Sequence, residues 1–181
     1  MKSGKFSTFN RRALYAALAS ALALGGTDIV SSAYAITANA TANVVQAISV
    51  AETRVLNFGK FVASSGGTVV LTNVDVTVPS GTSVRVNPST AASGKFTVTG
   101  DGGASYTFTA ASSTTLTGND AGTTTMAVTG ITPSVTTGGL LDGTTGSAGT
   151  QIVYVGATVT QGPANGAGTY SGTYAVTVDY N

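Results

Sequence analysis

Residues 170–181 constrain the fold more than any other stretch of the chain. From Tyr174 the even positions are Tyr174, Val176, Val178 and Tyr180, while the odd ones are Ala175, Thr177, Asp179 and Asn181. Apolar β-branched and aromatic residues at every second position describe a half-buried strand. A strand in a closing position is either paired on both edges by earlier strands or keeps an edge open to another molecule.

The remaining composition agrees with an all-β chain. Of 181 residues 42% are hydrophobic, 24 are glycine and only 8% are charged, and the chain has no cysteine, histidine or tryptophan. Charge is usually about three times more abundant. Valine and threonine in quantity favour pleated, half-buried surfaces.

Four of the eight basic residues, Lys2, Lys5, Arg11 and Arg12, precede an apolar run at 13–24 and a segment ending Ala33-Tyr34-Ala35. Basic start, short apolar core and A-x-A close describe a secretory signal peptide, residues 1–35, with Ala33 and Ala35 marking cleavage. The run is too short to span a bilayer, which takes about 20 residues. The mature chain would hold Arg54, Lys60, Arg85 and Lys95 against six carboxylates. It offers no basic surface for nucleic acid and no membrane span.

Residues 36–50, ITANATANVVQAISV, form a long alternating segment without charge, glycine or proline. A strand of that length would outrun the sheet it belongs to. It is read as an N-terminal extension, followed by a single domain at 51–181. Within that domain strands are expected at 54–61, with Val55 and Phe61 inward and Gly59 as a bulge, and at 68–78, 83–87, 124–129 and 151–160. Residues 95–99 and 105–109 flank Gly100-Asp101-Gly102-Gly103 and are expected to pair as a hairpin. Residues 138–150 read as a loop. Helical periodicity is absent, so the expected fold is an antiparallel β-sandwich.

Chemistry has little to work with. Without histidine or cysteine the commonest general bases, thiol nucleophiles and metal ligands are gone. Asp101, Asp120 and Asp142 sit at turns, where aspartate bonds its own backbone. The expectation is no enzyme, no cofactor and no metal.

Taken together, the extension 38–50, Leu56-Asn57-Phe58-Gly59, Phe96-Thr97-Val98-Thr99-Gly100, Tyr106-Thr107-Phe108 and the alternating C-terminus resemble subunits of bacterial chaperone–usher pili. Within that group they resemble a pilin-like family catalogued as a domain of unknown function. Pilins carry a penultimate aromatic, alternating apolar residues behind it and a glycine about fourteen from the end; here these are Tyr180, then Val178, Val176 and Tyr174, and Gly168. The missing disulfide departs from many pilins. The resemblance implies an immunoglobulin-like sandwich lacking one strand, completed first by a periplasmic chaperone and then, at an outer-membrane usher, by the extension of a neighbouring subunit. It implies Ala40, Ala42, Val44, Gln46 and Ile48 as donor-strand side chains. It further implies Gly168, Tyr174, Val176, Val178 and Tyr180 as the groove edge and chaperone contact, on a fibre at the cell surface. Two other readings stand beside it. One is a self-contained secreted sandwich of a surface layer or matrix. The other is a carbohydrate-binding module using Tyr154 and Tyr170 as platforms.

Overall fold

The computed structural model describes residues 34–62, 66–75, 80–87, 90–119 and 124–181. The basic start, the apolar run and Ala33 lie outside the described residues, as does Asp120. The chain divides into two units, Met1–Ala42 and Asn43–Asn181. Of the first, residues 34–42 are described, and they form an exposed segment with no strand or helix.

The second unit is all-β. Its strands are β1 (Ser49–Arg54), β2 (Gly67–Leu71), β3 (Gly94–Asp101), β4 (Ser105–Ala110), β5 (Ser113–Gly118), β6 (Thr125–Pro133), β7 (Gly139–Leu140), β8 (Ala148–Gln161), β9 (Tyr170–Ser171) and β10 (Val176–Tyr180). Every pairing is antiparallel. Seven strands form one sheet in the order β1-β3-β8-β6-β5-β9, with β2 also on β8; β10-β4-β7 form a smaller one. The two sheets make a sandwich.

β8 is the spine of the large sheet. Its first half pairs with β3, from Gly94↔Val155 to Asp101↔Ala148. Its second half lies between β2 and β6. Val153, Val155, Ala157 and Val159 alternate inward and are buried, as a period-2 side-chain pattern requires. On β6 the inward residues are Met126 and Val128, then Ile131 and Pro133. The switch from even to odd falls at a register shift between Thr129 and Thr132, where Gly130 has φ +61°. A bulge of this kind inserts one residue and turns the following side chains to the other face. Phe96 of β3 meets Phe108 of β4 edge to face at 5.6 Å, joining the sheets through the core.

Several expectations are corrected. Residues 95–99 and 105–109 do not form a hairpin. β1 and β8 occupy both edges of β3, so β4 crosses to the opposite sheet. The turn between them is braced by the 141–147 loop instead. Gly102 donates to the Ser147 carbonyl at 2.7 Å, Gly103 donates to the Leu141 carbonyl at 2.9 Å, and the Asp101 carboxylate accepts the Gly146 N–H at 2.9 Å.

The strand expected at 54–61 lies earlier, at 49–54, and Val55 points outward, 61% exposed. Asn57 Oδ1 accepts the Gly59 N–H at 2.8 Å, and Gly59 has φ +81°. That local turn competes with a ladder, leaving only isolated bridges, Asn57↔Ala92 and Phe61↔Arg85. The strand expected at 83–87 is likewise reduced to the Arg85 bridge. The loop expected at 138–150 contains the two-residue β7 and the first three residues of β8. β5 is a strand that the sequence pattern did not reveal.

Candidate functional site

The small sheet does not roof the whole of the large one. Where it ends there is a cleft of about 1030 Å³. Its floor is the inner face of the large sheet: Leu116 on β5, Met126 and Val128 on β6, Val159 on β8 and Phe96 on β3. Residues 55–61 form one wall and residues 166–174 the other, with Glu52 and Lys60 the charged groups of the lining.

β10 borders this cleft. It pairs on one edge with β4, from Val176↔Ala110 to Tyr180↔Tyr106, and ends its sheet on the other. An edge strand presents a row of backbone donors and acceptors to whatever lies alongside. Tyr174, Val176, Val178 and Tyr180 are all half-buried, alternating with exposed residues. Tyr174 and Val176 line the cleft, as does the exposed Gly168. Val178 packs on the core outside that lining.

Tyr180 lies at the far end of the strand. Its hydroxyl accepts the Asp101 N–H at 2.5 Å and donates to the Gln46 carbonyl at 2.7 Å.

Tyr174 is the polar anomaly of the site. Its ring packs edge to face on Phe96 at 6.3 Å. Its hydroxyl is buried and has no hydrogen-bond partner among the described residues. Burial, followed by the nearby Glu52 charge, pushes its pKa up to about 12.

The candidate donor residues separate into two groups. Ala40, Ala42, Val44 and Gln46 are exposed, with Val44 at 88%. Ile48 is half-buried and packs against the core of its own domain, as does Val50, which begins the β1–β3 ladder with Ser49. The exposed extension therefore ends at Ala47. Ala35 is exposed.

Tyr154 lies between Arg54 and Lys95, whose cationic groups are 5.9 and 5.8 Å from its ring centre. The Tyr170 hydroxyl donates to the Gly166 carbonyl at 3.0 Å. Arg54 also pairs with Asp75 at 3.2 Å.

The model of one family, described as a domain of unknown function (DUF4402), matches residues 48–180. The chain belongs to that family. No curated protein and no solved structure matches it. The DUF4402 match begins at Ile48, the first residue of the extension to become half-buried. The family domain is thus the unit with its own core, and residues 36–47 precede it. Sequence reasoning missed the floor residue Leu116, because β5 reads as Thr-Thr-Leu-Thr with a single large apolar side chain.

Proposed function

We infer that this chain is a structural subunit of a bacterial surface fibre, assembled by donor-strand exchange. The observation that carries this reading is a strand edge left unpaired among the described residues, beside a cleft lined with apolar side chains, in a chain whose exposed extension has the matching pattern. Residues 36–47 carry no charge, and their even positions are Ile36, Ala38, Ala40, Ala42, Val44 and Gln46. Laid along β10, such a segment adds a backbone ladder and buries one face of side chains, a peptide-recognition mode known as β-augmentation. Burying a few small apolar side chains contributes several kcal/mol at about 25 cal/mol per Å² before the ladder is counted. The contact is heterologous, extension to cleft, and repeated with a rotation that does not close it builds a fibre.

The partners under this reading are neighbouring copies or related subunits, with a periplasmic chaperone and an outer-membrane usher handling the subunit before assembly. The destination is the cell surface. Ile48 leaves the donor set because its side chain serves its own core; Ala40, Ala42, Val44 and Gln46 remain.

Removing residues 36–47 tests the reading. The truncated protein should still accumulate in the periplasm and co-purify with a chaperone, yet form no fibres by electron microscopy. Fibres of normal length from the truncated chain would overturn donor exchange.

A further inference from the structure

The extension is rooted at the end of β10 remote from the cleft. The Tyr180 hydroxyl holds two backbone groups together, accepting the Asp101 N–H and donating to the Gln46 carbonyl. Its approach depends on Gly100: a Cβ there would lie 2.4 Å from the Tyr180 hydroxyl oxygen and 2.9 Å from Leu141 Cδ1. Val176, the first residue of β10, and Tyr174 just before it line the cleft. One strand therefore carries the seat at its start and the root of the extension at its finish.

This placement decides which molecule the extension can complete, and how. Residues 36–47 reach up to about 40 Å when extended, enough to span their own β10. From a root at Tyr180, however, a segment laid back toward Tyr174 runs in the same direction as β10. Folding into its own cleft would therefore make a parallel pair. A second copy's extension carries no such tether and is free to enter antiparallel, the pairing that is slightly more stable per residue.

Building on the donor-exchange reading, we propose that Tyr180 is a positioning residue whose hydroxyl fixes the root of the extension and thereby directs it to a second copy and away from its own cleft. The penultimate aromatic is thus more than a groove-edge side chain. Its ring packs on the core, and its hydroxyl sets the direction of assembly.

The chain has no cysteine, which permits a clean test. The paired substitutions Val44→Cys and Val176→Cys place one thiol on the extension and one beside the cleft. After mild oxidation, non-reducing electrophoresis separates intermolecular ladders from fast-migrating, internally bridged monomers. In the otherwise unaltered chain the ladder should dominate. Adding Tyr180→Phe, which keeps the ring, should raise the ratio of internal to intermolecular bridges roughly three- to tenfold, the weight of one or two hydrogen bonds. Gly100→Ala, which displaces the hydroxyl without altering Tyr180, should move the ratio the same way. Amide exchange at residues 46–49 should quicken in both variants, before any assembly. An unchanged ratio in both would overturn the positioning role and leave donor exchange standing. No bridge in any background would overturn the occupancy of the cleft, and this proposal with it.

Discussion

Two tyrosines with buried hydroxyls mark the opposite fates of the two ends of this sandwich. Tyr106, fully buried on β4, donates its hydroxyl to Gln151 Oε1 at 2.5 Å, in company with the buried Phe108, Leu141, Val98 and Val153. Tyr174, beside the cleft, buries a hydroxyl with no partner and shares its surroundings with half-buried neighbours such as Leu116 and Val176. A buried hydroxyl that finds a partner is nearly neutral, whereas one left alone costs about 1–3 kcal/mol. One end is finished by β4, β7 and the 141–147 loop. At the other, the described residues leave a cleft between two walls, with the edge of β10 beside it.

The largest test of this contrast is truncation at each end. Phe108→Ala should destabilise the domain by about 3–5 kcal/mol, the usual cost of emptying a sealed aromatic site. Leu116→Ala on the cleft floor should cost about 1–2 kcal/mol, because less area leaves water-free surroundings. Urea denaturation gives both values, and equal losses would mean that the cleft end is as closed as the other.

Next in size is the effect of an added strand. A synthetic peptide of residues 36–47, supplied to the truncated domain at a hundredfold excess over its Kd, should stabilise it by about 2–3 kcal/mol. The melting temperature would report this. Leu116→Asp should abolish the shift, and a peptide that binds neither protein would break the contrast at its root.

The hydroxyls themselves should give opposite signs. Tyr106→Phe strands the Gln151 acceptor and should destabilise by about 1–2 kcal/mol, while Tyr174→Phe removes an unsatisfied hydroxyl and should stabilise by about 1 kcal/mol. Two losses of similar size would show that Tyr174 has a partner after all.

A last test is in alkali. Burial raises the pKa of both tyrosines, that of Tyr174 from 10.0 to about 12. The folded state then holds its proton more tightly than the unfolded chain. Stability is complete below about pH 10 and falls as pH rises toward 12. Tyr174→Phe should flatten part of that decline in thermal melts between pH 9 and about pH 12; an unchanged slope would remove Tyr174 as a cause.

Much of the architecture was legible because a single periodicity carries it. The alternations of 151–160, 124–129 and 174–180 each name a strand and its buried face, since side chains on a pleat have only two directions to point. The hairpin expectation failed for a reason no local pattern holds. Glycine and aspartate between two alternating runs permit a tight return, but they equally permit a crossing, and the choice went to β1 and β8, which took both edges of β3. β5 was hidden because its threonines carry strand propensity without apolar contrast. Val55 was misassigned because Asn57 and Gly59 make a turn that breaks the alternation.

The candidate site divides in the same way. Gly168, Tyr174 and Val176 could be named through the resemblance to pilins, being tied to a terminal pattern. Leu116, Met126 and Val128 could not, since nothing local tells a core side chain that lines a cleft from one that does not.

By itself the sequence determined that this protein is built of antiparallel strands, that its C-terminal strand has one apolar face, and that an uncharged alternating segment precedes the domain. Those are local properties, fixed by residue type and spacing. Only the tertiary structure decided which edges meet and where coverage stops. Pairing joins residues far apart in the chain, and a cleft exists only where one sheet is shorter than the sheet it faces.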